Sequence, residues 1–179
     1  MNLKKMGFTL IELLIVIGIL GVLAVAVIAA INPGEAQRKG RDIKRMQDLK
    51  TLQAVIDQYI NDGGAPVCTA VCNSSAGTTL CSANWTGIYL CDYANTIPVD
   101  PNNNQVRGVV NDTDADCSTV EAKSNIAALY RLRMDAGGAY EIDVVQESQT
   151  NCRNILNDGG NSGRRVEVGT DPILDLLGT

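Results

Sequence analysis

The chain has 179 residues, a formal net charge of -5, a sequence pI of about 4.7 and no histidine. The acidic balance argues against bulk electrostatic binding of nucleic acid, which needs a basic footprint. The missing histidine excludes most His-based acid–base, triad and zinc chemistry. Aromatic residues make up only 4% while Gly, Asn, Asp, Ser and Thr are plentiful, so the chain reads as one domain plus an appendage, with a modest core and many loops rather than a large enzyme core.

From Leu13 to Ile31 no residue is charged (LLIVIGILGVLAVAVIAAI), and FTLIE precedes this run. Together they give a 24-residue stretch. As a helix it is about 36 Å long at about 1.5 Å per residue, enough for a bilayer core of about 30 Å. A transmembrane or membrane-derived helix is therefore expected. A secretory signal peptide is the first alternative: Lys4 and Lys5 form a basic start, and AVA at 24–26 fits a small-residue cleavage site. Against it, the apolar run continues past that site and Glu12 interrupts its beginning. A plain signal anchor is the second. Arg38, Lys39, Arg41, Lys44 and Arg45 follow the span closely, and a positive-inside count would place the C-terminal part in the cytoplasm. The cysteines below indicate the opposite side. Glu12 is costly inside an apolar bundle unless it is paired; its simplest reading is a Glu near the end of a span, reaching the headgroups. Gly18 and Gly21 suit either close helix–helix approach or tolerated glycine in a span.

INPGEAQRKGRD at 31–42 interrupts the apolar pattern. Pro33 removes a backbone donor and Gly34 and Gly40 add freedom, which predicts a kink or a locally extended stretch near 31–34. From Glu35 to Asp62, Ile43, Met46, Leu49, Leu52, Ile56, Tyr59 and Ile60 recur at three- and four-residue steps, with Lys44, Gln47, Thr51 and Gln58 opposite. This is an amphipathic helix whose apolar stripe should pack on a sheet, stopped by Asp62-Gly63-Gly64. The basic cluster Arg38–Arg45 has DNA or acidic lipid as possible partners. In an acidic protein a solvated helix face, or pairing between subunits, is the better reading.

Six cysteines follow residue 60 and none precedes it: Cys68, Cys72, Cys81, Cys91, Cys117 and Cys152. An even number behind an export-type N-terminus reads as disulfides in an oxidising compartment. A four-Cys metal site is the alternative, but only CTAVC is tightly spaced. Cys117 with Cys152 is the expected C-terminal bridge, leaving the other four to staple the loop-rich region 63–126. WTGIYLC at 85–91 is the clearest strand there. AALYRLRMDAGGAYEIDVVQE at 127–147 alternates on both sides of a turn and reads as a β-hairpin. Burying both apolar rows on one face pairs Leu132 with Ile142 and Met134 with Tyr140 across a five-residue loop, 135–139. The same register sets Arg131 opposite Asp143 and Arg133 opposite Glu141. RRVEV at 164–168 suits an edge strand, and the hydrophobic PILDLL near the end should dock on the head. Asp112, Asp114 and Asp116 have calcium-like spacing but lack the Gly and closing Glu of an EF-hand loop, so a solvated acidic loop competes with a calcium site. Sequons occur at Asn73, Asn84 and Asn111. No catalytic constellation is present, and apart from calcium no cofactor is expected.

KKMGFTLIELLIVIGILGVLA resembles the start of a type IV pilin or pseudopilin precursor with a class III-type leader. The likeness lies in a short basic leader ending in Gly7, then Phe8, then Thr9-Leu10-Ile11-Glu12 and a long apolar helix, over about residues 4–30. It implies an α+β pilin-like fold, a long N-terminal α-helix packed on a small antiparallel sheet. It implies a leader at 1–7, a transmembrane and filament-core helix at 8–34 broken near Pro33, an amphipathic helix at 35–62 and a disulfide-containing head at 63–179. A prepilin peptidase would cut after Gly7 and methylate Phe8, and Glu12 would be the assembly glutamate. The expected partners are identical subunits in a helical filament, the peptidase, the inner-membrane assembly machinery and, before assembly, the lipid bilayer. The precursor would sit in the cytoplasmic membrane and the mature subunit in an extracellular filament. Pro33 falls later than the commonest family position, and TIPVDPNNN at 96–104 is similar to the Pro- and Asp-containing loop before the pseudopilin sheet. The resemblance thus implies a pilus subunit, with a pseudopilin of a type II secretion-like system or a minor pilin in DNA uptake or adhesion as alternatives. A secreted disulfide-rich binding domain is the reading from another class.

Overall fold

The computed structural model describes residues 7–76, 79–106, 109–110, 120–121, 127–160, 162–163 and 165–177. Asp112, Asp114, Asp116 and Cys117 lie outside the described residues. The chain divides between Gln37 and Arg38 into two compact units.

The first unit is built on α1, Leu10–Ile31. Its interruption is confined to Asn32, which takes the left-handed conformation (φ 43°, ψ 77°). The proline after it disfavours the helical conformation at Asn32, and Asn tolerates the left-handed one. Pro33 then starts α2, Pro33–Asn61, at the first helical position, where its missing N–H costs nothing. The Glu35 N–H donates to the Asn32 carbonyl at 3.1 Å, so Asn32 closes one helix and caps the next.

The second unit is a helix-on-sheet head. Its four-stranded antiparallel sheet runs in the order β1–β4–β5–β6, with β1 Cys72–Asn73, β4 Arg131–Met134, β5 Tyr140–Val145 and β6 Arg165–Gly169. A separate two-stranded ladder pairs β2, Val109–Val110, with β3, Val120–Glu121. The β4–β5 hairpin has the expected register: Leu132 faces Ile142, Met134 faces Tyr140, and Arg131 and Arg133 face Asp143 and Glu141. β6 is the expected edge strand, with Val166 opposite Val144. One face of the sheet forms the core with Leu49, Leu52, Val55 and Ile56 of α2. Tyr130 donates its hydroxyl to Asp48 (2.8 Å) and Tyr140 to Asp57 (2.5 Å), tying sheet to helix. A four-residue helix, α3 (Arg153–Leu156), adds Ile155 to this core.

Two expectations are corrected. Ile43 is 57% exposed, although its spacing puts it on the apolar stripe of α2. Asp42 and Arg45 take the inward positions at that end of the helix instead, because they find charged partners there. WTGIYLC is not a strand. Gly87 has φ 72°, and Asn84 organises a turn by accepting from the Thr86 N–H (2.9 Å) and donating to the Ile88 carbonyl (2.8 Å). Trp85, Ile88 and Leu90 still reach the core, so the stretch is buried without being extended. The second face of the sheet, which carries the alternating charges, is covered, and all six residues of β5 are buried. The C-terminal segment lies over it: Leu174 and Leu177 are buried, the Leu177 N–H donates to Glu141 (3.0 Å), and Arg133 donates to the Leu176 carbonyl.

Gly169 sits opposite Glu141 where the strands approach too closely for a side chain. A Cβ there would lie 2.9 Å from the Glu141 Cα and closer still to the Tyr140 carbonyl oxygen, both backbone atoms. Gly169→Ala should therefore cost about 2 kcal/mol as overpacking, lowering the midpoint of thermal unfolding by about 5 °C. Circular dichroism of the full chain in detergent checks this; an unchanged midpoint would show that the strands do not meet so closely.

Candidate assembly site

Thr9 precedes α1 in extended conformation (φ -84°, ψ 153°) and is its N-cap. Its hydroxyl oxygen accepts from the Glu12 N–H at 3.3 Å, and its own N–H donates to Glu12 Oε2 at 2.8 Å. The Thr9 hydroxyl also donates to that carboxylate oxygen, at 2.7 Å. This is a reciprocal capping box: each residue satisfies a backbone donor that the first helical turn leaves unpaired. The carboxylate also sits at the positive end of the helix dipole. The charge of Glu12 is thus compensated partly inside its own chain. The sequence reading missed this role, although Thr9-Leu10-Ile11-Glu12 carries the T-x-x-E signal.

Phe8, one residue before the cap, is 87% exposed, and every described side chain of α1 is exposed too. Leu10–Ile28 is long and apolar enough to cross a membrane. An added Cβ at Gly18 or Gly21 would meet nothing within 4 Å, so nothing within the single chain requires glycine there.

The basic cluster on α2 is divided: Arg38, Lys39 and Lys44 are exposed, as a solvated face requires, while Arg45 turns into the head. Arg45 is completely buried. It holds Asp100 through two guanidinium nitrogens (2.7 and 3.0 Å), Asp42 at 2.9 Å and Glu147 at 2.6 Å. Arg41 reaches Glu147 at 2.6 Å, and Lys44 pairs with Asp48 at 2.9 Å. Asp42 accepts from the backbone N–H groups of Glu147 and Ser148. Arg41 and Arg45 read as solvated from sequence because Asp100 and Glu147 come from far along the chain.

Cys68 is bonded to Cys72 and Cys81 to Cys91, so these four are not thiolate ligands for a metal. Cys152 is buried and disulfide-bonded. Both hydrogens of the Asn84 amide donate to backbone carbonyls, of Cys81 and Ile88, so this sequon is occupied by the fold and is no glycan acceptor.

Burial raises the pKa of Glu147, but the Arg41 hydrogen bond and the Arg45 charge outweigh it and hold the carboxyl at about 2, below its ordinary 4.5. The stability this provides is complete above pH 4.5 and is lost as pH falls through about 2. Glu147→Gln should remove that part of the acid sensitivity, flattening the unfolding midpoint between these limits relative to the native chain. Thermal melts across this pH range test it; an identical acid profile would place the sensitivity elsewhere.

Among comparisons with known proteins, the family model described as the prokaryotic N-terminal methylation motif matches residues 4–28. No curated protein and no solved structure matches the chain. The matched residues take in the leader residue Gly7, Phe8, the Thr9–Glu12 box and most of α1, and the head is a helix on a small antiparallel sheet. On this evidence of motif and architecture the chain carries the class III leader of type IV pilins and pseudopilins, on a pilin-like α+β fold.

Proposed function

We propose that the chain is a structural subunit that polymerises into a type IV pilus filament once its leader is removed. The observation that carries this is the methylation motif placed directly on a capped apolar helix with all its described side chains exposed. The membrane holds the precursor through α1. A prepilin peptidase cuts between Gly7 and Phe8 and methylates Phe8, which leaves a cationic amine one residue before the Thr9 cap. That amine is the natural partner for a carboxylate in a low-dielectric bundle, and when helices stagger it meets Glu12 of a neighbour. The pair fixes axial register, as buried polar contacts do in coiled coils. The apolar surface of α1 then exchanges lipid for other helices, and the heads cover the outside. The role is mechanical and no catalytic step is assigned.

A pseudopilin of a secretion system is the second reading. It is favoured by Asp100, which stands in the Pro- and Asp-containing stretch 96–104 ahead of the β4–β5 hairpin and is buried against Arg45.

Glu12 has two separable duties, capping its own helix and pairing with an amine. Glutamine at this position keeps a capping box but carries no charge. Glu12→Ala and Glu12→Gln should both be processed, inserted and folded in the head, yet both should lower filament yield about tenfold or more, the cost of an unpaired buried cation. Sheared-filament immunoblots and micrographs measure this. Normal filaments from Glu12→Gln would reduce Glu12 to a cap and remove the charge pair from the account.

A further inference from the structure

The sheet face opposite the α2 core holds three fully buried carboxylates, Glu141 and Asp143 on β5 and Glu167 on β6. One oxygen from each lies within 4.8 Å of the others. Their surroundings differ. Asp143 is compensated, because Arg131 and Arg165 both donate to it. Glu141 and Glu167 form no ion pair among the described residues, and each has one oxygen on a backbone N–H, from Leu177 and Ser162, both at 3.0 Å. The remaining oxygens, Oε1 of Glu141 and Oε1 of Glu167, are buried and receive no N–H or O–H from any other residue, and the two carboxyls lie within hydrogen-bonding reach of each other. A buried carboxylate oxygen without a donor bears its full desolvation cost. Two side by side point to a missing positive charge between them.

We propose that Glu141 and Glu167, with Asp143 beside them, bind a hard divalent cation of calcium size through their two unpartnered Oε1 atoms. Three carboxylates and no sulfur or imidazole favour oxygen-seeking ions. The three carboxylates are fully buried, which suits calcium, because magnesium dehydrates reluctantly and keeps several waters. The ion would join β5 to β6. Through the other oxygens it would also fasten the C-terminal segment at Leu177 and the loop at Ser162. This makes it a clamp on the head, separate from the acidic run Asp112, Asp114 and Asp116.

The test uses the full chain in detergent micelles, stripped with EDTA, at pH 7.5. D112N/D114N/D116N removes the acidic run as a competing site, and radioactive calcium in equilibrium dialysis counts bound ions. That variant should bind one calcium per chain, and 1 mM calcium should raise its unfolding midpoint by about 5 °C. Adding E141Q/E167Q should abolish both effects. No bound calcium in D112N/D114N/D116N overturns the proposal, a result independent of how well the Glu variants fold. Calcium retained after E141Q/E167Q overturns it too. So does a chain stabilised by E167Q alone but indifferent to calcium, because a shared proton would then supply the missing charge.

Discussion

Every described side chain of α1 is exposed, and the helix is apolar on all sides. Each square ångström of such surface is worth about 25 cal/mol when removed from water, so a helix of this length has to be covered by lipid or by other helices. Its own backbone bonds are satisfied internally, which makes it a stable element in either environment. The one polar feature at its head is the Thr9–Glu12 box, where the carboxylate is partly compensated because it caps its own helix. Localisation in the cytoplasmic membrane as a precursor, followed by an extracellular filament, fits the leader and this helix.

The head solves the opposite problem. Its core is closed by α2 on one sheet face and by the C-terminal segment on the other, leaving β5 buried throughout. Where α2 enters the head, burial is polar. Arg45 gathers acids from its own helix, from the loop at Asp100 and from the end of β5 at Glu147. Such a cluster contributes little net stability over an apolar replacement, but losing one member strands the others at a cost of about 3–5 kcal/mol. It therefore acts as a lock on how α2 is seated, with Tyr130 and Tyr140 as further hydrogen-bonded ties along the same helix.

The hairpin is legible to the residue, because a period of two, a defined turn and opposite charges all select one register. The apolar helix and its leader are legible because their pattern is dense and local. Features set by distant partners escape the sequence. Arg45 looks solvated because nothing near it announces Asp100 or Glu147, and Ile43 is misplaced for the same reason. WTGIYLC is rich in strand-forming residues, yet Asn84 and a left-handed Gly87 bend it into a turn. The cover on the charged face of the sheet escapes it too, because only the fold brings Leu174 and Leu177 over that face. The cap on α1 is readable in the sequence and easily passed over, since the membrane context draws the reading of Glu12 toward an outside partner.

The central claim is that α1 is retained in a mature protein whose chain begins at Phe8. Intact-mass analysis of the mature chain from its own cells tests this directly. The account predicts a terminus at Phe8 carrying one methyl group on its amine. A terminus near Val27 or Ile31, as an ordinary signal peptidase would leave, would remove α1 from the mature protein and contradict the account.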